Sequence, residues 1–213
     1  MKAKTAYICE DCGARSVKWQ GQCPDCGAWN TLAATMAKTA AGRQPAGRAP
    51  SLVSEVGDDA AARYPTGFEE FDRALGGGLV PGSVILLGGD PGVGKSTLLQ
   101  QVAARLPVEL DVLYATGEES LRQVAQRSQR IGTGNSTLRL LSDTSLENIL
   151  EQAAATRARV LVVDSIQTVV SETGSSAPGS VSQLRECVGR IVQFAKQSDV
   201  AVFLICPFLG FYH

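Results

Sequence analysis

Nowhere in its 213 residues does this chain hold an apolar run near the ~20 residues that span a bilayer. That shortage excludes a membrane-crossing helix, and no membrane partner is expected. The N-terminus lacks an apolar signal core, so the reading is a cytoplasmic protein. Charge of neither sign is in excess: 20 Lys and Arg face 21 Asp and Glu, a net charge of −1. Taken whole, that balance argues neither for nor against nucleic acid. No internal repeat is visible. What remains is a globular composition, 44% apolar and 19% charged, long enough for one sizeable core and a small appendage.

The charge is unevenly placed. Residues 1–50 carry seven Lys/Arg against three Asp/Glu, net +4, and the remainder thirteen against eighteen, net −5. A small basic module on an acidic body could touch phosphate backbones, although +4 over a flexible region is equally ordinary solvation. Residues 31–50 are rich in Ala, Gly and Pro without apolar periodicity, which reads as a linker. Beyond residue 51, short apolar runs at 83–88, 111–115, 138–141, 160–164 and 200–205 alternate with helical stretches near 67–75, 96–106, 119–131, 145–157 and 181–197. Such alternation predicts an α/β fold, a mostly parallel sheet with helices on both faces. The expected domains are a ribbon at 1–30, a flexible linker at 31–55, a nucleotide-binding core at 56–205 and a tail at 206–213.

Four of the six cysteines lie in the first 30 residues, as Cys9-x-x-Cys12 and Cys23-x-x-Cys26 with ten residues between the pairs. Two such knuckles supply four thiolates for a tetrahedral, structural Zn²⁺ site. Gly13 and Gly27 follow the knuckles, where a tight turn is needed. So small a unit cannot fold on its own core, so metal binding must stabilise it. A full thiolate set leaves no open coordination position, which excludes metal catalysis here. Trp19 and Trp29 flank the second knuckle; packing over the small core is expected, with stacking on a base as the alternative. Cys187 falls in a predicted helix and reads as a small buried hydrophobe.

Residues 89–96, Gly89-Asp90-Pro91-Gly92-Val93-Gly94-Lys95-Ser96, complete a G-x-x-x-x-G-K-[ST] phosphate-binding loop. An apolar run precedes it and a helical stretch beginning at Thr97 follows it. Strand, glycine-rich turn and helix make a cradle of backbone N–H groups at a positive helix end. Lys95 can reach β/γ-phosphates and the Ser96 hydroxyl can ligate Mg²⁺. Arg159-Val-Leu-Val-Val-Asp164 is an apolar run ending in a carboxylate, expected on a strand neighbouring the loop's own, near the Mg²⁺. Glu118 and Glu119 follow the predicted strand Asp111–Ala115. Either could orient or deprotonate an attacking water, with Glu118 the choice and Glu119 the fallback; both could equally favour the start of the following helix.

Together these residues resemble the bacterial RadA/Sms DNA-repair ATPase family. The four-cysteine ribbon carries the resemblance, with Tyr64-Pro-Thr-Gly-Phe-Glu-Glu-Phe-Asp-Arg-Ala-Leu-Gly-Gly-Gly-Leu-Val-Pro-Gly-Ser83, the phosphate loop, Tyr114-Ala-Thr-Gly-Glu-Glu-Ser120 and Val163-Asp-Ser-Ile-Gln-Thr-Val169. It runs from about residue 6 to Ile205. The resemblance implies a RecA-like core that hydrolyses ATP with Mg²⁺, water activation by Glu118, and binding of single-stranded DNA. It also implies hexameric rings and branch migration of recombination intermediates with the RecA recombinase. It places 171–180 at a DNA-facing loop, where the sequence alone fits a plain surface loop as well. After Ile205 the family's glycine–histidine strand end is replaced by Cys206-Pro-Phe-Leu-Gly-Phe-Tyr-His213, and its Lys-Asn-Arg-Phe-Gly motif, remaining strands and Lon-protease-like domain are missing. The expectation is a truncated copy with a non-family tail, an open sheet edge and lost ring contacts. A nucleotide- and DNA-binding module without turnover, or a non-functional fragment, are the alternatives.

Overall fold

A computed structural model describes residues 5–36, 52, 63–134, 137–172 and 180–207. The described residues fall into two units.

The first is a three-stranded antiparallel sheet of β1 (Thr5–Cys9), β2 (Arg15–Ser16) and β3 (Leu32–Met36), in the order β2-β1-β3. β3 lies where a linker was expected to begin. Its register, Cys9 opposite Leu32, explains why: Leu32 is buried against Cys9 and Cys23, with Tyr7, Cys12 and Ala14 around them. An Ala- and Thr-rich stretch gains a strand because it supplies the ladder partner of β1. The rest of the expected linker, 37–51 and 53–55, lies outside the described residues. Trp19 and Trp29 do not pack over this core, contrary to expectation. They are 57% and 70% exposed, because Leu32 and the cysteines fill the small interior.

The second unit is a five-stranded sheet of β4 (Val84–Gly89), β5 (Val112–Thr116), β6 (Arg139–Ser142), β7 (Val160–Asp164) and β8 (Ala201–Pro207). The order is β4-β8-β7-β5-β6, and every pairing is parallel. The helices are α1 (Glu69–Ala74), α2 (Lys95–Arg105), α3 (Leu121–Arg130), α4 (Leu146–Ala155) and α5 (Val181–Ser198). Both β5 and β7 are buried at every position. Alternate residues face opposite layers, as the pleat requires. Leu113 and Ala115 join Leu146, Ile149, Cys187 and Ile191 on the side of α4 and α5. Val112 and Tyr114 join Leu99, Val102 and Val124 on the side of α2 and α3. Among the described residues β4 pairs with β8 alone, and its Leu86 is 63% exposed. β8 continues through Cys206 and Pro207 opposite Gly88 and Gly89, so the expected tail begins inside a strand. Residues 208–213 lie outside the described residues.

Local sequence fixes the helix starts. Ser120 caps α3 in a capping box with Gln123, and the Ser145 hydroxyl accepts from the Asn148 amide at α4. Glu147 on α4 accepts from the Arg190 guanidinium, from the Ser171 hydroxyl at 3.0 Å and from the Glu172 amide at 3.2 Å. These bonds tie the chain beyond β7 to α4 and α5. The expected DNA-facing stretch starts there, and its residues 173–179 lie outside the described residues. Burial pushes the Glu147 carboxyl up, but Arg190 and the other donors outweigh it and hold it down at about 2. A folded value below the ordinary carboxylate range gives stability that is full above about pH 4.5 and lost as pH falls toward 2. Replacing Glu147 with Gln will therefore lower stability at pH 7 by on the order of 1 kcal/mol for a pair this exposed. Urea unfolding of the two chains will show that gap at pH 7, narrow it as pH falls below about 4.5 and close it only below about pH 2.

Candidate functional site

In the ribbon, the Gly13 amide donates to the Cys9 carbonyl at 2.8 Å and the Gly27 amide to the Cys23 carbonyl at 2.9 Å. Both turns aim their sulfurs at one point. The Sγ atoms of Cys9, Cys12, Cys23 and Cys26 all lie within 4.8 Å of one another. Cys9–Cys26 and Cys12–Cys23 are each 3.6 Å apart. A tetrahedral ion bonded to sulfur at ~2.3 Å requires sulfur–sulfur edges of ~3.8 Å, so the cluster fits Zn²⁺; disulfide sulfurs would stand ~2 Å apart. Burial pushes the Cys9 thiol up, but the Thr31 hydroxyl and the Cys12 and Asp11 amides draw it down to about 6. The Ala14 amide draws Cys12 down, yet burial and three neighbouring sulfurs push it up to about 12. A set that ionises one thiol at the expense of another is a set that a cation completes.

The phosphate loop joins β4 to α2. Gly92 and Gly94 hold φ of 81° and 97°, and a Cβ on either would meet nothing within 4 Å. Left-handed backbone therefore demands glycine, and the open space beside it is a cradle a phosphate can fill. Asp90, Pro91, Gly92 and Val93 lie exposed on this turn, and Lys95, Ser96 and Thr97 begin the helix behind it. Lys95 Nζ donates to the Gly89 carbonyl at 2.6 Å and to the Asp90 carbonyl at 2.7 Å. Its ammonium thus stands at the cradle's mouth.

Asp164 does end β7, but β7 is not the neighbour of β4. β8 runs between them, so the carboxylate reaches the loop from two strands away. The expectation of an adjacent strand is corrected here; spacing along the chain carries no information on strand order. What bridges the gap is Tyr114, which sequence reasoning missed. It is fully buried and donates its hydroxyl to Asp164 Oδ2 at 2.5 Å, with the Ser96 hydroxyl near enough to act on the phenol. Burial raises the Tyr114 phenol far above its ordinary value, with the Asp164 charge adding to it, so it stays a donor.

The two glutamates part company. Glu119 pairs with Arg127 at 2.6 Å, and its amide donates to the Thr116 hydroxyl at 3.1 Å. Arg127 in turn donates to the buried Gln100 at 3.0 Å. Glu118 is exposed, and its Oε1 accepts from Ser165 at 2.6 Å, next to Asp164. Gly117 lets the two strand ends close up: a Cβ there would lie 2.1 Å from the Thr168 hydroxyl. Ser165, Arg127 and Gln100 left no sequence signal, being single polar residues made significant by packing. Tyr114 had a faint one, as the one aromatic in an otherwise aliphatic and small-residue strand.

Comparison with known proteins agrees with this geometry. Residues 53–206 match the family model described as AAA domain, and residues 7–34 match one described as Rubredoxin metal binding domain. The chain is 48% identical over 210 residues to the DNA repair protein RadA of Pseudomonas aeruginosa, covering 96% of this chain and 46% of that protein. It is 46% identical over 207 residues to the RadA of Aquifex aeolicus and 43% over 213 to that of Bacillus subtilis, with 96% and 46% covered in both cases. The chain spans about half the length of the curated relatives it matches. The four-cysteine ribbon supports Zn²⁺ and the phosphate-loop domain supports ATP with Mg²⁺. With the phosphate loop, the parallel sheet and the ribbon all in place, the chain belongs to the AAA domain family, among relatives of the DNA repair protein RadA.

Proposed function

We propose that this chain acts as an ATP-dependent DNA-repair protein of the RadA kind, a DNA-dependent ATPase that works on single-stranded DNA and branched recombination intermediates. Its place is the cytoplasm, its partner the RecA recombinase, and its assembly a hexameric ring. The observation that carries the reading is the convergence of Lys95, Ser96, Asp164 and Glu118 at one end of the parallel sheet, with an open glycine cradle beside them. The relatives named DNA repair protein RadA support the process.

In this reading the backbone of residues 89–97 wraps the phosphates and Lys95 exchanges its two loop carbonyls for the β- and γ-phosphate oxygens. Ser96 and Asp164 hold Mg²⁺, which would neutralise charge on the phosphoryl oxygens. Glu118 orients the attacking water and accepts its proton, and Ser165 fixes the direction of that carboxylate. Cys9, Cys12, Cys23 and Cys26 hold Zn²⁺ and keep the ribbon folded. No helix among the described residues is long and apolar enough to cross a membrane.

Phosphate release in the presence of single-stranded DNA tests the assignment of Glu118. Glu118→Gln will slow release by about 100-fold or more, the scale of a lost general base, and will leave Mg·ATP affinity nearly unchanged. Wild-type turnover in this variant would remove Glu118 from the reaction.

A further inference from the structure

The phenol of Tyr114 has no packing reason to be a phenol. It lies in the middle of β5, where every residue is buried, within the layer formed by Leu99, Val102, Val124 and Phe203. Phenylalanine would fill the same volume, and a buried hydroxyl is unfavourable unless it is bonded. It is bonded, to Asp164 Oδ2 at 2.5 Å, and the Ser96 hydroxyl is near enough to act on the same phenol. Those two residues come from elements that share no backbone ladder. Ser96 starts the helix after β4, Asp164 ends β7, and β8 separates the two strands. β5 pairs with β7, with Tyr114 opposite Val162 and Thr116 opposite Asp164, and from there the Tyr114 phenol reaches the Asp164 carboxylate.

We infer that Tyr114 is a positioning residue for the cation end of the site: its hydroxyl fixes one Asp164 oxygen relative to the Ser96 hydroxyl and so sets the affinity for the divalent ion that accompanies the nucleotide. The inference rests on the functional reading above. Outer partners of metal-binding carboxylates act in this way, by holding the ligand's orientation. The hydrogen-bond direction fits. The phenol O–H is donated to the carboxylate, and the Ser96 hydroxyl can donate to the phenol oxygen, leaving the serine lone pairs for a cation. Arg127, held by Glu119 and Gln100, lies near enough to act on the Tyr114 phenol.

The test uses the full chain, a fluorescent ADP analogue and Mg²⁺. Without added Mg²⁺, and with no chelator, Tyr114→Phe will bind the analogue as the wild type does, within about twofold. The Mg²⁺ concentration that half-saturates the metal-dependent tightening will rise by about tenfold, the scale of a lost hydrogen bond to a charged group. A purely structural role would lower the melting temperature and leave that midpoint alone; an unchanged midpoint with intact binding overturns the inference. Should Tyr114→Phe fail to fold, the wild-type chain labelled with 3-fluorotyrosine answers the question. The sequence has four tyrosines, and Tyr7→Phe, Tyr64→Phe and Tyr212→Phe assign the Tyr114 fluorine signal by elimination. That signal will shift when Mg²⁺ is added to the ADP-bound chain, and a stationary signal overturns the inference. A wild type that binds no analogue under any condition overturns the functional reading itself, and this inference with it.

Discussion

Stripping Zn²⁺ with a chelator will unfold residues 5–36. The ribbon's buried apolar residues are Cys9, Cys23 and Leu32, and two of the three are proposed metal ligands. Three strands ordered around so little apolar surface cannot offset the lost chain entropy. The ion must therefore supply folding free energy on the order of 10 kcal/mol. Tryptophan anisotropy reads this unit alone, because the chain's two tryptophans, Trp19 and Trp29, both lie in it. Chelation will lower that anisotropy, and Cys23→Ser will give a chain that retains no tightly bound zinc. An unchanged anisotropy after full zinc removal would mean that backbone pairing alone holds the ribbon.

Lys95→Ala will abolish stabilisation of the chain by Mg·ATP. Saturating ligand at about 100 times its dissociation constant raises stability by about 2.7 kcal/mol, which appears as a clear rise in melting temperature. In the wild type Lys95 is the cation at the cradle's mouth, bonded to the carbonyls of Gly89 and Asp90. Its removal leaves the phosphates to backbone amides and a helix end, without a full positive charge. The loop will keep its shape, since Gly92 and Gly94 set it through their own backbone angles. The variant will therefore melt near the wild-type temperature without ligand and will not shift with it. A shift equal to that of the wild type would place the nucleotide elsewhere.

Much of this arrangement was legible in the sequence because its causes are local. The zinc knuckles and the phosphate loop each depend on short spacings whose geometry is nearly fixed. The alternation of apolar runs with helical stretches located the five core strands and five helices of the described residues to within about two residues. Long-range relations were not legible. The order β4-β8-β7-β5-β6 places Asp164 two strands from the loop, and no spacing between Gly89 and Asp164 encodes that. Glu118 and Glu119 are indistinguishable as neighbours in sequence; the fold separates them by giving one to Ser165 and the other to Arg127. Trp29 reads as a core residue by hydrophobicity and proves to be surface, because Leu32 from β3 takes the interior first.

Steady-state phosphate release by the purified chain, with and without single-stranded DNA and against Lys95→Ala, tests the central claim most directly. Release will be stimulated by single-stranded DNA and removed by the substitution. Release no greater than that of Lys95→Ala, with DNA present, would contradict it.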